Sequence, residues 1–228
     1  MAYNFLELVN DVNRRLNEVP LTSGNFSTAT GYAADVKGYV NAALNRINRE
    51  EFEWPFNHTT FTQTLVADQS VYPYQADAKS VAFDTFRIKG DKLLNVNSQK
   101  LRILDYEEYL YRCSDWEFAP EDHHGKPSYV VRRRDLSFLV APPPDNTYDV
   151  LYEYYRLPTD LEDWDDVPTI PEQFRWVILE GAMYPAYMFR GGIDEASISN
   201  QLFQTGLKDM RKIYINRNEY ARSTAIVR

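Results

Sequence analysis

Apolar residues recur at helical spacing near both ends of the chain and at period two in its middle. Phe5, Leu8, Val9, Val12, Leu16 and Val19 share one stripe, with Arg14, Arg15, Asn17 and Glu18 off it, which predicts a first helix. Pro20 is expected to end it, because the residue before a proline is pushed out of the α region. The polar stretch 22–30 offers several N-caps for a second helix over 31–52, carried by Tyr32, Val36, Val40, Ala43 and Ile47 and stopped at Trp54-Pro55-Phe56. The period then changes. Residues 59–66, 71–74, 83–88 and 100–104 read as short strands, 106–113 as one or two helical turns, and 128–133 with 136–140 as a hairpin around Arg134-Asp135. Three prolines at 142–144 make a rigid turn before a last strand over 148–156. Helix returns at Ile170-Pro171-Glu172, with a stripe of Phe174, Val177, Ile178, Gly181, Tyr184 and Met188 and a kink expected at Pro185. Gly191-Gly192 closes that helix, and a fourth spans about 195–215 on Ile198, Leu202, Leu207, Met210 and Ile213.

Strands segregated from helices mean an α+β fold. The economical arrangement is a helical bundle built from the N- and C-terminal helices, with an inserted antiparallel β-rich domain and an extended C-terminal tail. Its expected boundaries are 1–56 with 159–216 for the bundle, 57–158 for the insert and 217–228 for the tail.

Composition narrows the function. With 44% hydrophobic residues, the 228-residue chain has ample material for a core. A net charge of −8 disfavours a dedicated duplex-DNA binder, which needs a basic stripe to displace counterions from phosphates. One cysteine, Cys113, excludes an intramolecular disulfide and a multi-cysteine zinc site. The opening residues carry acids rather than the apolar core of a signal peptide, and no apolar run approaches the roughly 18–20 residues that span a bilayer. A soluble protein made in a reducing cytoplasm is the expectation. Seventeen tyrosines fit either a Tyr-rich sheet face or extensive contact with other proteins.

Chemistry-bearing residues are few. Cys113 with His123 or His124 has the residue types of a thiol nucleophile and its base, but a lone thiol on a Tyr-rich amphipathic stretch reads as a buried small side chain. His123-His124 are adjacent, so on a strand they point to opposite faces, and a polar loop is the plainer reading. Acids cluster at 105–122 (Asp105, Glu107, Glu108, Asp115, Glu117, Glu121, Asp122) and at 160–166 (Asp160, Glu162, Asp163, Asp165, Asp166). Two carboxylates across a cleft, with Trp116 or Trp164 stacking a sugar, would suit glycan hydrolysis; solvated surface is the competing reading. Arg132-Arg133-Arg134 suits a phosphate site or a charge-paired strand face equally. No phosphate-binding glycine loop, nucleophile elbow or His-Glu-x-x-His is present, so no catalytic, cofactor or metal site is expected.

The order of certain motifs carries more. Thr28-Ala29-Thr30-Gly31 leads into Asp35-Val36-Lys37, Asn41-Ala42-Ala43-Leu44, Ile47 and Glu53-Trp54-Pro55-Phe56. Later come Pro142-Pro143-Pro144-Asp145, the tyrosines 152, 154 and 155, the stretch 166–171, Phe174 and Gly181-Ala182. In this order they resemble the head-to-tail adaptors of short-tailed bacteriophages, the tail tubular protein A type. The loop 121–125 and the basic tail match no part of that pattern. The resemblance implies a structural virion protein in the neck, assembled in the host cytoplasm. It would be a homo-oligomer, a dodecameric ring beneath the portal protein, with a helical bundle and a β domain directed toward the tail nozzle protein. Viral DNA would pass through the ring without specific binding, and no membrane or cofactor is implied. Arg217, Tyr220, Arg222, Ile226, Val227 and Arg228 are the expected portal contacts, a basic segment in an acidic protein; a frayed terminus without a role is the alternative. The rival function is a virion-associated, carboxylate-dependent cell-wall glycan hydrolase.

Overall fold

A computed structural model describes residues 3–51, 53–90, 97–117 and 124–215. The fold is α+β. Residues His58–Leu157 form one compact unit, and the described residues before and after them form another.

The helical unit comprises α1 (Phe5–Arg15), α2 (Tyr32–Glu50), α4 (Arg175–Phe189) and α5 (Ile193–Tyr214); α3 belongs to the other unit. Helix α1 starts where the Asn4 side chain accepts the Glu7 N–H at 3.0 Å. The next free donors are taken by a distant segment, Phe5 N–H by the Asp166 carbonyl and Leu6 N–H by that of Trp164. The helix ends before Pro20 can act. Asn17 takes a left-handed φ of 61°, the Glu18 N–H returns to the Asn13 carbonyl, and Val19 is 83% exposed rather than part of the stripe.

The long join to α2 is pinned at two points. The Asn10 amide brackets Leu21, donating to its carbonyl at 2.9 Å and accepting its N–H at 2.7 Å. Phe26 enters the core edge-on to Phe5, its carbonyl held by Lys37 Nζ at 2.8 Å. No Ser or Thr caps α2. Gly31 occupies the cap position at φ 61°, a conformation that costs glycine little. Beyond α2, buried Trp54 donates its indole N–H to the Ile47 carbonyl at 2.9 Å and stacks on Phe56.

Helix α4 is apolar nearly all round, as expected for the helix at the centre of its unit. Pro171 precedes a 3₁₀ turn, Glu172–Phe174, rather than opening the α-helix, and α4 continues through Pro185. Two glycines permit close approach. A Cβ on Gly181 would lie 2.8 Å from the Phe203 ring and 2.9 Å from the Ala43 methyl, so α2, α4 and α5 meet there. A Cβ on Gly206 would lie 2.6 Å from Val177 and 2.8 Å from Trp176. Ion pairs tie α1 to α4, Arg15 to Glu180 at 2.6 Å and Arg175 to Asp11 at 2.5 Å.

The second unit holds β1 (His58–Leu65), β2 (Val71–Pro73), β3 (Ala78–Ile88), β4 (Gln99–Lys100), β5 (Arg102–Leu104), α3 (Tyr106–Arg112), β6 (Tyr129–Arg132), β7 (Ser137–Ala141) and β8 (Tyr148–Arg156). They make two four-stranded sheets, ordered β1-β8-β3-β4 and β2-β7-β6-β5. Pairing is antiparallel except for β5 beside β6, which is parallel. The connection through α3 is long enough to bring the chain back in the same direction, which a short hairpin cannot do. In β8, Val150, Tyr152 and Tyr154 point inward while Asp149, Leu151, Glu153 and Tyr155 face the other way. Phe86 stacks on Tyr152 with centroids 4.8 Å apart and meets Phe138 of the other sheet at 5.0 Å, so aromatic rings form the core between the sheets. Helix α3 covers the outer side of the second sheet, packing Tyr109 and Cys113 on Val131, Leu139 and Ala141.

Candidate functional site

Several of the chemical candidates from the sequence have a structural occupation. Cys113 lies buried in the small core under α3, and burial pushes its thiol above the usual range, away from the thiolate a nucleophile needs. His124 does not serve it. Its Nδ1 lies 2.7 Å from an Asp68 carboxylate oxygen, bridging two loops. His123, Glu121 and Asp122 lie outside the described residues. Among the described residues, no group of three or more His, Cys, Asp or Glu side chains is placed to hold a metal ion, and no helix is long and apolar enough to cross a membrane.

The acids divide between loop-holding and surface. Asp166 Oδ2 accepts the N–H groups of Glu162 and Asp163, both at 2.8 Å, and so organises the 160–166 loop. Asp160 accepts from the Asn45 amide at 2.6 Å. Trp164 is exposed, but its carbonyl caps α1. In the other cluster, Glu108 pairs with Arg112 one turn on at 3.1 Å, while Asp105 occupies the α3 cap position without a side-chain hydrogen bond there.

Arg132 and Arg133 are engaged separately. Arg132 sits over the Phe83 ring and Arg133 pairs with Asp135 at 3.5 Å. The Ser137 hydroxyl, donating at 2.5 Å, holds the Asp135 carboxyl below its usual value. The hairpin turns at Arg134-Asp135 as expected and takes in Leu136, at φ 55°, as well. The tail residues Arg217, Tyr220, Arg222, Ile226, Val227 and Arg228 lie outside the described residues.

What sequence reasoning missed is an apolar surface. Tyr184 and Met188 of α4 and Ile198, Leu202 and Ile213 of α5 were expected in the core stripes; all five are exposed, as is Trp176. Leu207 and Met210 are buried as expected, but they share the inner face of α5 with Ala196, Ser199, Phe203 and Gly206 rather than with Ile198, Leu202 and Ile213. Helix α5 carries two apolar arcs, and the expected stripe mixed residues of both. The signal available was the glycine pair: Gly181 and Gly206 mark where helices touch.

The tyrosines divide between core and surface. Tyr72, Tyr109, Tyr152 and Tyr154 fill cores, with the Tyr72 hydroxyl bonded to the Val66 N–H and the Gln69 carbonyl, both at 2.8 Å. Tyr111 and Tyr184 face solvent.

The described residues thus present polar groups engaged in holding loops and one broad apolar face on paired helices, a distribution suited to contact with other proteins. No curated protein matches the sequence. A family model described as SU10 adaptor protein matches residues 3–228, nearly the whole chain, and the protein belongs to that family of phage structural adaptors.

Proposed function

We propose that this chain is the head-to-tail adaptor of a short-tailed phage: a ring-forming structural protein that joins the portal to the tail nozzle and forms part of the DNA ejection channel. The observation that carries the reading is membership of a phage adaptor family over residues 3–228. The motif order from Thr28 to Ala182 supports it, as does the engagement of the polar candidates in loops and ion pairs. A chain of net charge −8 suits a conduit, because a ring of such subunits repels the phosphate backbone and lets DNA slide. Assembly takes place in the host cytoplasm, and the finished ring lies in the virion neck.

The basic segment 217–228 docks on the portal, with Arg217, Arg222 and Arg228 pairing to acids and Tyr220, Ile226 and Val227 as apolar anchors. Co-sedimentation with filled, portal-bearing heads tests this. Full-length protein should pellet with the heads. A chain ending at Arg217 should keep its thermal unfolding transition but stay in the supernatant, and attachment of the truncated chain would remove the tail from the account.

A further inference from the structure

The large apolar side chains that one hairpin of the helical unit leaves in solvent include Trp176, Tyr184 and Met188 on α4, and Ile198, Leu202 and Ile213 on α5, at 36–63% exposure. They adjoin one another. Gly181 meets Phe203, and Gly206 meets Val177 and Trp176, so the helices run antiparallel. That pairing brings Tyr184 and Met188 level with the early turns of α5, where Ile198 and Leu202 project. Side chains of this size span roughly 150–250 Å² each, which leaves on the order of 500 Å² of apolar surface. This is the upper range for a monomer's largest patch and over half of the roughly 800 Å² that each partner gives a standard interface. Trp176, Tyr184 and Met188 on this face are residue types enriched at interface cores.

A second surface lies on another flank of the same unit. Over α2 opens a shallow, solvent-open cleft lined by Ala42 and by the aliphatic stems and polar ends of Asn45, Arg46, Arg49 and Glu50. Arg46 and Glu50 mark the side of α2 turned toward α5, through Asn200 and Arg211. With 3.6 residues per turn, Ile198 and Leu202 lie about 160° around α5 from Asn200, so the apolar strip faces away from α2. The charges also match. Arg49 is exposed and forms no ion pair among the described residues, while exposed Asp194 and Glu195 stand at the start of the apolar strip. A molecule with complementary patches on two different flanks associates head to tail, and such contacts close into a ring when the rotation allows.

We propose that the occupant of the α4–α5 face is a second copy of this chain, seated so that Ile198 and Leu202 enter the α2 cleft of its neighbour and the acids of the first α5 turn meet Arg49. This deepens the adaptor reading and rests on it, since it names the surfaces by which the ring closes.

The test places a photo-crosslinking amino acid at Leu202, and separately at Ala42, in full-length protein assembled into phage particles, with adducts mapped by mass spectrometry. The Leu202 probe should join two copies through peptides of α2, and the Ala42 probe should join two copies through α5. Leu202→Glu in the Ala42-probe chain should reduce the adduct about tenfold or more, with the thermal transition of the free subunit unchanged. Arg49→Glu should reduce it several-fold. Three results would overturn the inference while leaving the adaptor reading in place: adducts to a different virion protein, copy–copy adducts mapped away from α2 and α5, or no adduct although the chain is in the particle. Absence of the chain from purified particles would overturn both.

Discussion

Replacing Gly181 with alanine sets two effects of known sign against each other. In an ordinary helix the change is favourable by about 1 kcal/mol, because glycine loses more backbone entropy on folding. Here the added methyl would sit 2.8 Å from the Phe203 ring on one side and 2.9 Å from the Ala43 methyl on the other, where ordinary contact begins near 3.4 Å. Neither neighbour can yield freely. Phe203 is fully buried between α4 and α5, with the Arg46 guanidinium 4.5 Å from its ring centroid, and Ala43 is fixed to the backbone of α2. Overpacking of this kind costs about 1–3 kcal/mol, and two unyielding neighbours place it in the upper half of that range, about 2–3, so after the propensity gain Gly181→Ala should destabilise the helical unit by about 1–2 kcal/mol. Urea unfolding reports on that unit through Trp54, Trp164 and Trp176, with Trp116 of the β unit replaced by phenylalanine. Adding Phe203→Leu to Gly181→Ala should return about 1 kcal/mol, a coupling that distant sites do not show. A Gly181→Ala midpoint at or above wild type would refute the claim that three helices meet at this residue.

Asp166→Ala should cost about 1–2 kcal/mol in thermal unfolding, because the N–H groups of Glu162 and Asp163 lose their acceptor, whereas Asp166→Asn keeps an oxygen there and Asp163→Asn should change stability by less than about 0.5 kcal/mol. Equal losses at 163 and 166 would contradict the loop-holding role. Burial pushes the Tyr74 and Tyr152 hydroxyls up to about 12 from an ordinary 10. The folded state therefore holds these protons more tightly, so the stabilisation is complete below pH 10 and is lost between pH 10 and 12, by up to about 1.4 kcal/mol per pH unit for each. Phenolate absorbance should rise with unfolding, and titration of both near pH 10 with the sheets intact would contradict their burial.

How far the chain could be read depended on whether one physical rule governed each segment. Strand β8 was legible to the residue because its tyrosines alternate and one face is buried, so period and burial agree. The α1 terminus was not. Pro20 is a strong stop, but Asn17 turns the chain first, and a left-handed asparagine leaves little trace in hydrophobic pattern. The parallel β5–β6 pair was hidden for another reason: strand direction follows from how α3 packs, which no local period encodes. Helix α5 misled most. Its buried face combines Phe203, Leu207 and Met210 with the small Ala196, Ser199 and Gly206, while Ile198, Leu202 and Ile213 form a second apolar arc outside, so one helix offers two stripes and the period alone does not separate them. An exposed apolar stripe at helical spacing has the same period as a core stripe, so the pattern alone does not tell them apart. The candidate chemistry was legible mainly as scarcity, since partners such as Asp68 for His124 lie 56 residues apart.

Reconstruction of the neck of the assembled particle by electron cryomicroscopy tests the central claim most directly. The account predicts a closed ring of this chain between the portal and the nozzle, with its helical and β-rich units both accounted for in the density and its lumen lined predominantly by acidic and neutral side chains. Particles whose portal meets the nozzle with no density for this chain would contradict it. So would density for the chain elsewhere in the virion.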